Sequence, residues 1–394
     1  MTSSSPPGET KDLENRFTLD GGDELESHLA EICDHVSAGI GEFIPAKKLE
    51  GLLLGGGYGR GEGGVLQTEN GEQPYNDLEF FVLLRGPCRW NEKNYLPRLN
   101  EFAEELSPRA GVEIEFKILS LEKLKKSPVT MTFHDLVTGH RVLRGSKNLL
   151  RCCDHHHSAN AIPLWEATRL LMNRCSGLLF SAERLKRELF TSDDADFVGR
   201  NHAKAQLAFG DVILAAHGLY HSSCRERLAR LQKFLPMENW PWLADVREHH
   251  RRGVEFKLHP HRHDCRPEYF FEQQAELSKL GLRIWLWLES RRLSRAFSSP
   301  WDYVTSEINK CPETDPRRNF LINAWRFGPS ACFTARAFRY PRERLFHALT
   351  LLLWESAMLD NSFFLQRVWR ELETTATDFP GLVSAYTTLW RRFN

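Results

Sequence analysis

Two stretches near the start of the chain decide its fold: residues 52–64, Leu-Leu-Leu-Gly-Gly-Gly-Tyr-Gly-Arg-Gly-Glu-Gly-Gly, and residues 76–82, Asn-Asp-Leu-Glu-Phe-Phe-Val. The first is a short apolar strand that runs into glycines, which interrupt both helix and strand. In the second, Asp77 and Glu79 lie two apart on a predicted strand, so their carboxylates share a face. Two carboxylates on an otherwise apolar strand are costly unless a cation compensates, and a divalent metal is the natural partner.

A third acidic position comes from the predicted strand 112–119, in which Glu113 and Glu115 again share a face. If this strand lies beside the first, one of the two carboxylates faces Asp77 and Glu79. We favour Glu115 because it lies deeper in the apolar run, with Glu113 as the alternative. Oxygen-only ligands favour Mg²⁺, and three carboxylates around two Mg²⁺ ions suit in-line phosphoryl transfer.

The glycine run predicts a phosphate-binding loop. Without a Cβ in the way, its backbone N–H groups can approach phosphate oxygens closely. Arg60 would add a bidentate positive charge, or it would pair with an acid of the same domain.

Residues 56–62, Gly-Gly-Tyr-Gly-Arg-Gly-Glu, followed by residues 76–82, resemble the signature of the DNA polymerase β-like nucleotidyltransferase superfamily. The resemblance covers roughly residues 50–120. Three details depart from the common pattern: Gly57 stands where Ser is frequent, Glu79 where Asp is frequent, and the spacer holds an additional predicted hairpin around residues 70–71.

The resemblance implies an α+β protein in which a nucleotidyltransferase-like mixed α/β core is followed by a mostly helical domain. It implies transfer of a nucleoside monophosphate from a nucleoside triphosphate to an acceptor. The triphosphate would be bound by the glycine segment, at Gly56, Gly57, Tyr58 and Arg60. The two Mg²⁺ ions would be bound by Asp77, Glu79 and Glu115, the last of which could also accept the proton of the acceptor hydroxyl.

The rest of the chain predicts three regions. Residues 1–22 form a polar, disordered N-terminal tail, residues 23–150 form the α/β domain, and residues 160–394 carry helical periodicity. The helical part divides into two subdomains if the Pro- and His-rich stretch 236–267 separates them. The predicted helices span residues 164–189, 201–220, 224–234, 269–297, 343–359 and 363–372.

Lys204 is the candidate nucleotide-binding residue of the helical part. It lies two turns before Asp211 on one side of a predicted helix. These residues either form a polar line that faces the nucleotide, or Lys204 is a solvated surface lysine.

Composition limits the remaining possibilities. The chain has 394 residues, with 52 basic and 52 acidic side chains, which argues against a strongly basic nucleic-acid wrapper. Residues 1–150 hold more acidic than basic side chains. Because the whole chain has a formal net charge of +0, residues 151–394 hold an equal excess of basic side chains, which would suit an anionic ligand. The sequence shows no signal peptide and no apolar stretch long enough to span a membrane, so we expect a cytoplasmic protein without membrane contact. Nine cysteines without a CxxC motif favour free thiols and no disulfide-linked partner.

The leading hypothesis is therefore a Mg²⁺-dependent nucleotidyltransferase. Its acceptor stays open among a small molecule, a protein and an RNA. The alternative is a catalytically inactive nucleotide-binding or protein-interaction module, such as a toxin–antitoxin-like regulatory partner.

Overall fold

The computed structural model describes residues 16–237, 240–334 and 336–394, and the chain divides into two compact units. The first unit comprises Met1–Pro163, His217–Leu235 and Val254–His261. The second comprises Leu164–Ala216, Pro236–Gly253 and Arg262–Asn394. The mixed α+β class is confirmed, with a small sheet followed by a largely helical part. Two later segments rejoin the first unit, which local periodicity could not reveal.

The first unit contains all the strands of the described residues. Its elements in chain order are α1 (Asp23–Phe43), β1 (Leu49–Leu54), α2 (Gly56–Gly59), β2 (Val65–Thr68), β3 (Gly71–Pro74), β4 (Leu78–Leu84), α3 (Cys88–Ala110), β5 (Ile114–Leu119), α4 (Leu121–Lys126), α5 (Met131–Thr138) and β6 (Arg141–Arg144). Two 3₁₀ turns follow, at Arg151–His157 and Ala159–Ala161. The short strand β6 and the helices α4 and α5 were not predicted from the sequence.

A four-stranded sheet, in the order β5-β4-β1-β6, positions the acidic residues. β1 runs antiparallel to β4 and β6, whereas β4 and β5 are parallel and joined through α3. In the β4–β5 register, Leu78 pairs with Ile114 and Glu79 pairs with Glu115. The separate hairpin β2–β3 was predicted, and it accounts for the long spacer between the two motif segments.

The two faces of this sheet are covered differently. On one face, the even-numbered residues of β4, such as Phe80 and Val82, pack in the main core with α1 and α3. On the other face, Phe81 and Leu83 form a smaller cluster with α4, α5 and the first 3₁₀ turn. Glu79 alternates with the main-core residues and therefore lies on the face with the smaller cluster.

Part of the predicted N-terminal tail belongs to the fold. Residues 1–15 lie outside the described residues. Residues 16–22 belong to the fold, because Phe17 is buried and Thr18 forms a β-bridge with Gly63. The Glu26 carboxylate accepts hydrogen bonds from the backbone N–H groups of Phe17 and Thr18 at 2.7 and 3.0 Å.

Among the described residues of the second unit, the regular secondary structure consists of helices joined by loops. The remaining helices of the chain are α6 (Leu164–Arg184), α7 (Ser192–Ala216), α8 (Cys224–Lys233), α9 (Leu243–Leu258), α10 (Glu268–Leu293), α11 (Pro300–Thr305), α12 (Pro316–Phe327), α13 (Arg342–Trp354), α14 (Ser362–Leu372) and α15 (Phe379–Phe393). Of these, α8 lies in the first unit, and the division between units falls within α9. In the second unit, α6 packs against α7, α10 and α13 around fully buried residues such as Trp285 and Phe209.

Six helical spans were predicted from periodicity, and all six are present with shifted ends. The helix α9 lies within the stretch 236–267, for which no helix was predicted. Its basic and His-rich composition hides the few apolar residues that it buries, such as Val246 and Val254.

None of the described helices is both long and apolar enough to span a bilayer. All nine cysteines are described, and all are free thiols.

Candidate functional site

The glycine segment packs directly on Glu79. β1 ends at Leu54, and the Gly55 N–H donates to the Glu79 carbonyl oxygen at 2.9 Å. Gly56 opens the one-turn helix α2 with φ +62°, a conformation that favours glycine. A Cβ at Gly56 would lie 2.7 Å from Glu79 Oε2. The sequence therefore needs glycine here, both for the turn and for the close approach of the carboxylate.

The structure brings Glu79 and Glu115 together, as the predicted strand pairing requires. A residue that sequence reasoning missed holds them: Lys117 Nζ lies 2.6 Å from Glu79 Oε1 and 3.0 Å from Glu115 Oε2. All three side chains are partly exposed, at 32%, 49% and 33% for Glu79, Glu115 and Lys117. Burial by itself would lower the pKa of Lys117, but the two carboxylates raise it above its usual value. The ammonium is thus a firmly charged bridge between two acids.

Asp77 lies just before β4 with an exposed side chain. Its charge reaches the Tyr58 phenol, because it contributes, after burial, to raising the pKa of Tyr58 to about 12. Glu113, the alternative third acid, is also exposed, and its carbonyl oxygen accepts from the Leu78 N–H at 2.9 Å. Both acids therefore lie at the same end of the β4–β5 pair as Glu79 and Glu115.

Tyr58 was predicted to bind nucleotide, and its side chain is placed elsewhere. It is fully buried in the main core. The hydroxyl donates to the Gly64 carbonyl oxygen and accepts from the Tyr75 N–H, both at 2.9 Å. The phenol therefore braces the glycine segment against the residues that precede β4, and only the backbone of Tyr58 is left for a ligand.

The backbone N–H groups of Gly56 and Gly57 make no hydrogen bond with any residue in the described part of the chain. Both glycines are partly exposed. Consecutive unpaired N–H groups are the feature that phosphate-binding loops present to anions.

The two basic candidates differ in their surroundings. Arg60 caps the end of α2, and its Nε is shielded from solvent without a hydrogen-bond partner. Lys204 is exposed on α7, in the second unit. The structure thus places Arg60 in the same unit as the acidic residues and Lys204 in the other unit.

Glu62, the last residue of the glycine motif, has a structural role. Its buried carboxylate accepts from Ser223 Oγ at 2.5 Å and from the Cys224 N–H at 2.9 Å, at the start of α8. Burial alone would raise the pKa of Glu62, but these hydrogen bonds hold it below its usual value. A carboxylate at a helix N-terminus also interacts favourably with the helix dipole. Glu62 therefore fastens α8 to the glycine segment.

We expect Glu62→Ala to lower the free energy of unfolding by about 2 to 4 kcal/mol at pH 7, because two buried donors lose a charged acceptor. The pKa of Glu62 is depressed in the folded state, so its contribution is present above its ordinary pKa and is lost as pH falls below it. Urea unfolding of wild type and variant at pH 7 and pH 4 measures this. An equal difference in unfolding free energy between wild type and variant at the two pH values would contradict this role of the Glu62 carboxylate.

The three carboxylates are suitable ligands for a hard divalent cation, although the Lys117 ammonium bridges two of them, Glu79 and Glu115. Asp77, Glu79 and Glu115 offer only oxygen, the ligand type that Mg²⁺ prefers. Within the described ranges, no group of three or more His, Cys, Asp and Glu side chains is already arranged to hold a metal ion. Lys117 has a flexible, partly exposed stem, so its ammonium is free to leave Glu79 when a stronger cation binds.

Some of these residues carried a signal in the sequence. Strand alternation places Lys117 on the same face as Glu115, two residues earlier, so the bridge could have been anticipated. The contacts of Glu62 with α8 had no such local signal.

Comparison with protein-family models, with curated proteins and with solved structures found no match to this chain. The resemblance of residues 56–82 to the nucleotidyltransferase signature therefore stays a prediction.

Proposed function

We propose that the chain is a Mg²⁺-dependent nucleotidyltransferase that moves a nucleoside monophosphate from a nucleoside triphosphate to an acceptor hydroxyl. One observation carries the proposal: a glycine segment, in which the N–H groups of Gly56 and Gly57 have no partner among the described residues, packs at Gly56 against Glu79, which is paired in register with Glu115. A phosphate-binding element and a carboxylate pair at the same sheet end are the two parts that this chemistry needs.

Each residue has a definite task in this proposal. Gly56 and Gly57 would hold the triphosphate through their N–H groups, while Asp77, Glu79 and Glu115 would hold Mg²⁺. When bound, Mg²⁺ would supply positive charge against the triphosphate oxygens. The acceptor oxygen attacks the α-phosphorus, and the bond to the oxygen that bridges to the β-phosphate breaks. Pyrophosphate leaves with that electron pair, and the hydroxyl proton passes to the exposed Glu115 carboxylate.

The test uses nucleoside triphosphates labelled at either the α- or the γ-phosphorus. The protein, Mg²⁺ and one labelled nucleotide are incubated with separate protein, RNA and small-molecule fractions of a cell extract. We expect α-label to enter one fraction and γ-label to be released as pyrophosphate. Transfer of the γ-label would indicate a kinase instead, and γ-label released only as inorganic phosphate would indicate simple hydrolysis.

Lys117 favours a second candidate function, a nucleotide-binding module without catalysis. An ammonium that bridges Glu79 and Glu115 supplies one positive charge where the proposed enzyme needs a divalent ion. If Lys117 stays there when nucleotide binds, the fold binds nucleotide and performs no transfer.

The Lys117→Met variant distinguishes the two functions. Without divalent ions, we expect its melting temperature to fall by about 2 to 4 °C, because Glu79 and Glu115 then repel each other across the sheet. Mg²⁺ should restore the loss. Thermal melts of wild type and variant, with EDTA or with Mg²⁺, measure both effects.

The wild-type response decides between the functions. Stabilisation of the wild type that is larger with nucleotide and Mg²⁺ than with nucleotide in EDTA supports displacement of Lys117, whereas an effect of Mg²⁺ confined to Lys117→Met supports the non-catalytic module. Lys126→Met is the matched control, because it removes a similar but exposed lysine–glutamate pair. A Lys117→Met protein that gains nothing from Mg²⁺ would contradict the metal site.

A further inference from the structure

A second cluster of charges lies beside the glycine segment, entirely within the first unit. The cluster has three cations: Arg60 directly after α2, Arg227 on α8 and Lys257 at the end of α9. Arg60 packs on Gly139, close to the backbone of Asp135, and Arg227 donates at 3.4 Å to the Tyr220 hydroxyl, which is bonded to Asp135. The backbone of Lys257 lies against Gly64, and the charges of Arg60 and Arg227 add to the burial that lowers the pKa of Lys257. Three cations close together in a largely buried place repel one another unless anions balance them.

Two acids lie within reach of these cations, and neither pairs with Arg60 or Lys257. Glu62 is committed to Ser223 and Cys224 at the start of α8. Asp135, on α5, accepts from the Tyr220 hydroxyl through Oδ2 at 3.2 Å, while its Oδ1 is buried without a partner. Burial raises the pKa of Asp135 despite the neighbouring cations. The three cations therefore outnumber these two acids.

Arg60 and Lys257 carry this excess. Their side chains make no hydrogen bond or ion pair with any residue in the described ranges, whereas Arg227 donates to the His221 and Ser222 carbonyl oxygens at 2.7 and 2.9 Å. A partly buried cation without a partner is less favourable than one that is paired. Such a cost is expected where a ligand completes the pairing.

The backbone holds both side chains in place. The stem of Arg60 lies against Gly139, where a Cβ would collide with its Cγ and Cδ. The backbone of Lys257 is fixed against Gly64, where a Cβ would lie 2.9 Å from the Lys257 carbonyl oxygen. The Phe256 ring also packs edge-on against Tyr75, with centroids 5.9 Å apart. Lys257 is thereby held beside the glycine segment although it is distant in sequence.

We propose that Arg60 and Lys257 together bind a phosphoryl group. The Arg60 guanidinium, whose Nε has no partner, can donate two parallel hydrogen bonds to two phosphate oxygens, and Lys257 adds a further positive charge. A doubly charged phosphoryl group matches two unpaired cations better than a single carboxylate does. Arg60 lies about one helical turn, or about 6 Å of rise, from Gly56. The anion site does not depend on the proposed function. The source of the phosphoryl group, a nucleoside triphosphate or a phosphorylated acceptor, does depend on it.

Calorimetric titration tests the site without any chemistry. Inorganic pyrophosphate and, separately, ATP are titrated into the full-length protein in EDTA, so no metal or transfer is involved. We expect Lys257→Met and Arg60→Gln each to weaken pyrophosphate binding about 10-fold, and Lys257→Arg to retain most of the affinity. The matched control Lys126→Met removes an exposed lysine of the same unit and should leave the affinity unchanged.

The two ligands distinguish the sources. A parallel loss of ATP affinity assigns the site to the phosphates of the nucleotide, and unchanged ATP affinity assigns it to a phosphate of the acceptor. Absence of pyrophosphate binding to the wild type, or equal affinity in all variants, would overturn the proposal. Failure of the transfer assay leaves this result unaffected, because binding in EDTA needs no catalysis.

A melting experiment excludes a purely structural role. Because Lys257 is unpaired, Lys257→Met should melt at the same temperature as the wild type or higher without ligand. Pyrophosphate should then raise the melting temperature of the wild type more than that of the variant. A large loss of stability in ligand-free Lys257→Met would show that the lysine supports the fold instead.

Discussion

Combining Asp77→Asn with Glu79→Gln is expected to reduce transfer of α-labelled nucleotide at least about 1,000-fold, which would approach background. Both substitutions keep the shape of the side chain and remove its charge, so the loss reports the charge and not the packing. The rate of label transfer in Mg²⁺, measured at saturating nucleotide, gives the effect. A variant that retains more than about a tenth of the wild-type rate would contradict the assignment of these acids.

Two further variants make this result specific. Glu101→Gln is the control, because Glu101 is an exposed acid of the same unit that pairs with Arg98 across one turn of α3. It should keep full activity. Comparing Glu115→Gln with Glu113→Gln identifies the third acid, and the pairing of Glu115 with Glu79 predicts the larger loss for Glu115.

The largest effect on stability is expected from Glu289→Ala in the second unit. Glu289 is fully buried on α10, where it accepts from Thr168 Oγ1 at 2.8 Å, from Arg292 at 2.6 and 2.7 Å, and from the Tyr303 hydroxyl at 2.8 Å. These bonds tie α10 to α6 and α11. Removing the carboxylate leaves Arg292 buried with its main partner lost, at a cost of about 3 to 5 kcal/mol. The melting temperature should fall by about 10 °C.

An exposed counterpart in the same unit provides the control. Glu248 pairs with Arg251 and Arg252 at 3.0 and 2.8 Å, but all three side chains are largely exposed. Water screens such pairs, so Glu248→Ala should barely change the melting temperature. Equal melting temperatures for Glu289→Ala and the wild type, measured by calorimetry, would show that the buried network does not support the second unit.

Strand alternation explains why much of the acidic site was predictable. The spacing of Asp77 and Glu79, and of Glu113 and Glu115, fixed which side chains share a face. Short-range patterns also predicted the hairpin and six helices. The adjacency of Glu79 and Glu115 then followed from one assumption, that the two strands are neighbours, and the observed register confirms it.

The remaining features depend on contacts between distant parts of the chain. Tyr58 follows the pattern of a loop residue, but its phenol is buried and forms hydrogen bonds with the backbone of Gly64 and Tyr75. Glu62 resembled a motif acid, but it caps a helix far along the chain. Lys257 reaches the glycine segment through α9, whose apolar positions are too sparse for periodicity to reveal. Such long-range placement leaves no trace in local sequence patterns.

A crystal structure with Mn²⁺ and a non-hydrolysable nucleoside triphosphate would show whether a metal ion replaces Lys117 at Glu79, because anomalous scattering locates Mn²⁺ unambiguously. We expect a manganese ion about 2.0 to 2.2 Å from Glu79, with Lys117 withdrawn from it and the triphosphate on the N–H groups of Gly56 and Gly57. A bound nucleotide with Lys117 still bridging Glu79 and Glu115, and no manganese there, would contradict it.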